Sequence, residues 1–79
     1  MDNPLIYSKL TTVFHDVFDD ESIQLTPELT AEDVDSWDSL QHIRLIVSAE
    51  KAFAVKFSAA EVGLLKNVGD FVALIKSKQ

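Results

Sequence analysis

The chain has 79 residues, 47% of them hydrophobic, so it can bury one core and is too short for a second. It contains no cysteine, which excludes disulfide staples, thiolate metal sites and cysteine nucleophiles. Its formal net charge of −6, from 13 acidic and 7 basic residues, opposes nucleic-acid binding and suits encounter with basic patches on proteins.

No apolar run approaches bilayer length, and Met1-Asp2-Asn3-Pro4 is not the basic start of a signal peptide. These features predict a cytoplasmic, monomeric single domain over residues 1–79, without membrane or nucleic-acid contact. Asn3 can cap a first helix with Pro4 at its first position, where the missing N–H costs nothing. Ile6, Leu10, Val13, Phe14 and Val17 recur at helical spacing. The helix is expected to fade near Phe18, because Asp19, Asp20 and Glu21 place negative charge at an already negative helix end. His15 reads as a surface residue.

From residue 19 to residue 37 no period of two or 3.6 is sustained. Ile23, Leu25, Leu29 and Val34 are scattered among polar residues, which predicts a long loop lying across the core with a short helical turn near residues 30–34. An EF-hand started at Asp33 fails at Trp37, Asp38 and Arg44, so no metal site is assigned. Trp37 either packs the loop onto the next helix or marks a binding hot spot.

A second helix begins at Asp38 or Ser39 and runs to about Phe53. Leu40, Ile43 and Val47 form one apolar stripe, and Leu45, Ala49 and Phe53 another, with Ile46 between them. Apolar cover on most of the circumference predicts a central helix. Ser39 stands where unpaired N–H groups and the positive dipole end would favour an attached anion. Ser39 or Asp38 can equally be an N-cap, with Asp38 and Gln41 as a capping pair. His42 follows Ser39 by three residues, but nothing orients it as a general base, and it reads as solvated.

Ser58 through Glu61 has the form of a capping box and opens a short third helix through Val62 and Leu65. Asn67 with Asp70 does the same for a last helix carrying Phe71, Val72 and Ile75 inward, with Lys76 and Lys78 near its end. No segment reads as a strand. The expected fold is all-α: a small four-helix bundle with a long first loop and a short third helix.

Asp38-Ser39-Leu40, in the middle of such a chain, resembles the motif by which acyl carrier proteins are modified. The acidic-to-Phe close of the second helix (Glu50 to Phe53) and the Val68-Gly69-Asp70 step fit the same family, so the resemblance spans essentially the whole chain. It implies a non-enzymatic carrier with 4'-phosphopantetheine, taken from coenzyme A, on Ser39. Asp38 would help a phosphopantetheinyl transferase place the serine and the transferase's metal. Leu40, Gln41 and Arg44 would contact partners. Ile43, Ile46, Val47, Phe57, Val62 and Leu65 would line the interior that shelters cargo. The further partners implied are an acyl- or aminoacyl-loading enzyme and a downstream transferase or synthase.

The chain departs from fatty-acid-synthase carriers in one respect. Its second helix carries Arg44, Glu50 and Lys51 and is nearly neutral, while Asp16, Asp19, Asp20, Glu21, Glu28, Glu32, Asp33, Asp35 and Asp38 hold the negative charge. That favours a carrier of a specialised biosynthetic pathway. The alternative, from a different class, is a helical protein-interaction module in which Ser39 is only a cap.

Overall fold

Helical periodicity and caps dominate the chain, and in the computed structural model, which describes residues 2–79, they produce four α-helices and one 3-10 turn. The helices are α1 (Asn3–Phe18), α2 (Ser39–Phe53), α3 (Ala59–Gly63) and α4 (Val68–Ser77), with the 3-10 turn at Ala31–Asp33. No strand occurs among the described residues.

The first helix is capped one residue earlier than expected. Asp2, not Asn3, accepts a hydrogen bond from the Leu5 N–H at 3.1 Å, and Pro4 still lies in the first turn, where no intrahelical donor is needed. The helix ends at Phe18 as predicted, with Asp19 in the left-handed region (φ 51°) and its N–H closing on the His15 carbonyl. Ile6, Leu10, Val13, Phe14 and Phe18 are buried, while Val17 is only partly covered.

Burial unites α1, α2 and α4 around one core. Ile6, Leu10 and Phe14 meet Leu45, Ala49 and Phe53 on one side and Val68, Phe71, Val72 and Ile75 on the other. The long loop contributes Ile23 and Val34 to this core, with Leu25 and Leu29 partly buried against it. It is fixed by backbone as well. The carbonyls of Leu29 and Pro27 accept from the N–H groups of Val68 (2.9 Å) and Gly69 (3.0 Å), two of the donors that α4 cannot satisfy internally.

The third helix is shorter than the sequence predicts, ending at Gly63 rather than at Leu65, and it buries no residue fully. Both bonds of its Ser58–Glu61 capping box form, at 3.1 and 2.8 Å. Glu61 also pairs with Lys78 at 3.0 Å, joining α3 to the end of α4. At the α4 start Asn67 accepts from the Asp70 N–H, but Asp70 accepts from the Lys66 N–H rather than from that of Asn67, so the reciprocal half of the expected box is displaced by one residue.

The expectation for α2 needs the largest correction. Leu45, Ile46, Ala49 and Phe53 are buried, whereas Leu40, Ile43 and Val47 are 63%, 61% and 43% exposed. At 3.6 residues per turn the second stripe lies about 140° around the helix from the first, too far to share its core. The helix is therefore peripheral on one face, and that face is apolar.

Candidate functional site

Three residues at the junction of the long loop and α2 define the site. Asp38 has extended backbone and accepts from the Gln41 N–H at 2.9 Å, so it is the N-cap. Ser39 is then the first helical residue, exposed, with its hydroxyl outside the capping bond. Of the two capping assignments open in the sequence, the structure selects Asp38. The Asp38 N–H turns back to the Ser36 carbonyl (3.1 Å), so the capping pair is one-sided: Gln41 does not reciprocate, and its half-buried side chain keeps Oε1 buried and without a hydrogen-bond partner.

Trp37 closes the loop over this helix start. Its indole packs edge-on against Phe14 (5.3 Å between centroids, 85°) and tilted against Phe18 (5.9 Å), which anchors it in the core. Of its two sequence readings, packing is the one the contacts describe. Its Nε1–H donates to Nδ1 of His42 at 3.1 Å, and the two rings stack at 6.0 Å and 22°. His42 is thus half-buried rather than solvated, and burial lowers its pKa below the usual histidine value. His15 also departs from its surface reading: its Nε2 makes a 2.9 Å hydrogen bond with the Ile23 carbonyl, fastening the loop to α1.

The residues expected to line an interior pocket divide into two groups. Ile46 is buried, and Phe57, Val62 and Leu65 are partly buried against the core beside Phe71, with the Phe57 and Phe71 rings 5.7 Å apart. Ile43 and Val47 face outward instead, because they belong with Leu40 to the exposed stripe of α2. They line a surface groove with Asp16, Val17, Arg44 and Ser48. Of the expected partner contacts, Leu40 and Arg44 are exposed and Gln41 is half-buried.

Two hollows flank the helix start. An open depression of about 550 Å³ is lined by Ala31, Trp37, Asp38, Ser39, His42 and Ile43. A narrow crevice of about 60 Å³ lies among Ala31, Trp37, His42, Leu65, Lys66, Asn67 and Phe71. Sequence reasoning did not find Ala31 or Phe71 as members of this site, and it set His42 aside as solvated. The only available signal was that Trp37 is a large aromatic residue immediately before a helix start.

The acidic residues do not converge on a common point. Asp33 accepts from the backbone N–H and hydroxyl of Thr30 (3.0 and 3.2 Å), and Asp38 caps α2, so both are engaged locally. No helix among the described residues is long and apolar enough to cross a membrane.

No family model and no curated protein matches the chain. Among solved structures it is similar to the solution structure of a holo acyl carrier protein from Geobacter metallireducens. The two are 50% identical over 91% of this chain and 83% of the other, with a TM-score of 0.87.

Proposed function

The chain belongs to the acyl carrier protein family, and from that membership we propose that Ser39 is the residue on which it carries 4'-phosphopantetheine. Its function is that of an acyl carrier rather than an enzyme. The observation that carries the assignment of Ser39 is the division of labour at the α2 start: Asp38 caps, which leaves an exposed hydroxyl at the first helical position. The surroundings suit the group. The helix N-terminus favours its phosphodiester, and the open depression beside Ser39 leaves room for the arm to leave the surface.

Modification would form a phosphoester bond at Ser39 Oγ as the diphosphate of coenzyme A breaks. Adenosine 3',5'-bisphosphate departs, and the hydroxyl proton passes to a base of the transferase. Once attached, the group supplies a thiol that holds acyl cargo as a thioester, which a cysteine-free chain cannot otherwise provide. Asp38 has two roles in this reading, holding the helix start and presenting a carboxylate to the transferase and its metal.

The delivery surface is the outward stripe of α2. Leu40, Ile43 and Val47 are exposed apolar residues, with Arg44 and Lys51 exposed on the same helix. Glu50 is turned away from them: it is half-buried, and its carboxylate accepts from the Phe57 N–H at 2.8 Å. A partner for this face presents an apolar groove with an acidic or neutral edge. Such a surface supports service in a specialised pathway, with a loading enzyme and a downstream transferase or synthase adapted to it.

The test is intact mass after incubation of the unmodified protein with coenzyme A and a broad-specificity phosphopantetheinyl transferase, beside Ser39→Ala. A gain of one phosphopantetheinyl group in the wild type alone is expected. Equal gain in both proteins would place the attachment elsewhere, and no gain in either would favour a non-covalent interaction module.

A further inference from the structure

Ala31, Trp37 and His42 border both the open depression at Ser39 and the narrow crevice behind it, so they form the partition between the two. The partition is braced in place. Trp37 is fixed from behind by Phe14 and Phe18, and its Nε1–H grips His42 Nδ1 at 3.1 Å across stacked rings. Because Nδ1 accepts, the neutral imidazole carries its own proton on Nε2, and the bond persists only while the ring is neutral.

Beyond the partition the crevice measures about 60 Å³. An apolar cavity of roughly 150 Å³ admits a benzene ring, so this one holds on the order of two to three carbon atoms. Its far side is only partly covered. Leu65 is only partly buried, as are Phe57 and Val62 nearby, and α3 has no fully buried residue. Space for a longer chain exists only if the Trp37–His42 partition yields and the two hollows merge.

Resting on the carrier reading above, we propose that the Trp37–His42 pair is a gate that sets cargo size, confining the sheltered part of the cargo to about two to three carbons of a short acyl chain. Longer chains remain outside, where their thioesters are open to attack. The pair acts through steric closure and one hydrogen bond, and it takes no part in bond making. His42 and Trp37 are therefore specificity-determining residues for the attached cargo.

The experiment uses the full chain loaded from acetyl-, butyryl-, octanoyl- and dodecanoyl-coenzyme A by a broad-specificity phosphopantetheinyl transferase, with loading verified by intact mass. Two quantities are measured: thioester loss to hydroxylamine relative to the corresponding acyl-coenzyme A, and Trp37 emission, which reports on the only tryptophan in the chain. For the wild type, butyryl is expected to be lost about tenfold more slowly than its coenzyme A thioester, the effect of burying about two methylenes. It should also shift Trp37 emission. Octanoyl and dodecanoyl should react at the coenzyme A rate and leave the emission unchanged.

In His42→Ala, octanoyl protection should rise by about tenfold on the same reasoning. Trp37→Phe, which keeps an aromatic ring against Phe14 and removes the N–H, should move the same way by a smaller factor. Circular dichroism confirms that each variant is folded, and the second variant decides the matter should the first unfold. Equal protection of butyryl and octanoyl in the wild type would overturn the gate, as would chain-length profiles that neither substitution changes. Failure of the wild type to gain the acyl-phosphopantetheinyl mass would overturn the carrier reading itself, a separate result read before any hydroxylamine is added.

Discussion

Capping falls on Asp38 and the proposed modification on its neighbour Ser39, so the two can be separated by substitution. Asp38 accepts the Gln41 N–H at 2.9 Å with the extended backbone of an N-cap, while Ser39 is already helical. Replacing a capping aspartate by alanine costs about 1 kcal/mol. In a domain of this size each kcal/mol moves the melting temperature by roughly 4–8 °C. Asp38→Ala is therefore predicted to melt about 4–8 °C below the wild type. Ser39→Ala exchanges an exposed helical serine for the best helix former and should change stability by less than about 0.5 kcal/mol in either direction. Asp38→Asn retains a good cap and should melt close to the wild type. Loading should follow another order: Ser39→Ala abolishes it, Asp38→Asn slows it by loss of the carboxylate, and both remain folded. Thermal melts by circular dichroism with intact-mass loading rates resolve the two patterns. If Ser39→Ala melted as low as Asp38→Ala, the serine would be structural and the division of labour described above would be wrong.

Three further predictions concern other parts of the molecule. A Cβ at Gly69 would lie 3.1 Å from the Pro27 carbonyl and 3.2 Å from the Pro27 side chain, so Gly69→Ala should destabilise despite its gain in helix propensity, whereas Ala54→Gly should stabilise by roughly 0.5–1 kcal/mol because Ala54 occupies the left-handed region (φ 54°). Denaturant melts that showed the opposite signs would refute the packing argument at Gly69 and the backbone argument at Ala54. Burial lowers the folded-state pKa of His42 below its unfolded value of about 6.5, so its contribution is constant above that pH and stability is lost as pH falls from there toward the lower folded value, the unfolded chain binding the proton first. His42→Gln, which can still accept from Trp37, should lose less melting temperature than the wild type between pH 7.5 and 5.5; parallel curves would count against the half-buried neutral imidazole. Finally, Arg44→Glu with Lys51→Glu should raise transfer rates with fatty-acid-synthase-type enzymes, and unchanged rates would remove charge as the reason for partner choice.

Much of this molecule was legible in local sequence because its helix ends are chemically marked. Ser58 with Glu61, Asn67, and Asp38 before the most apolar stretch locate three helix starts, and the charges after Phe18 locate the end of α1. The 3-10 turn at Ala31–Asp33 also falls where a turn was expected, held by the Asp33 carboxylate, which accepts from the Thr30 N–H and hydroxyl. Two features were not legible, for different reasons. The outward direction of Leu40, Ile43 and Val47 was hidden because both stripes of α2 are apolar, and periodicity cannot say which stripe meets the core. The Trp37–His42 bond was hidden because Trp37 lies in the loop, where no helical spacing links it to a residue five positions later. The same holds for His15 and the Ile23 carbonyl, a contact made by the chain folding back after α1.

The two apolar faces of α2 explain how one short helix can be both structural and presentable. Its inner face is committed to the core through Leu45, Ile46, Ala49 and Phe53. Its outer stripe begins one residue after Ser39 and extends about 10 Å along the helix to Val47. Leaving three large aliphatic side chains in water forgoes burial worth roughly 1.5–3 kcal/mol for each if it were complete, a cost that folding alone does not explain. A partner that covers the stripe recovers part of that energy and, by the same contact, lies beside the hydroxyl of Ser39. In the carrier reading proposed above, recognition and delivery are coupled through the rigidity of a helix fixed at its start by Asp38 and against its flank by Trp37. Loosening either anchor is expected to uncouple them, leaving a chain that still binds through Leu40, Ile43 and Val47 but presents Ser39 less accurately.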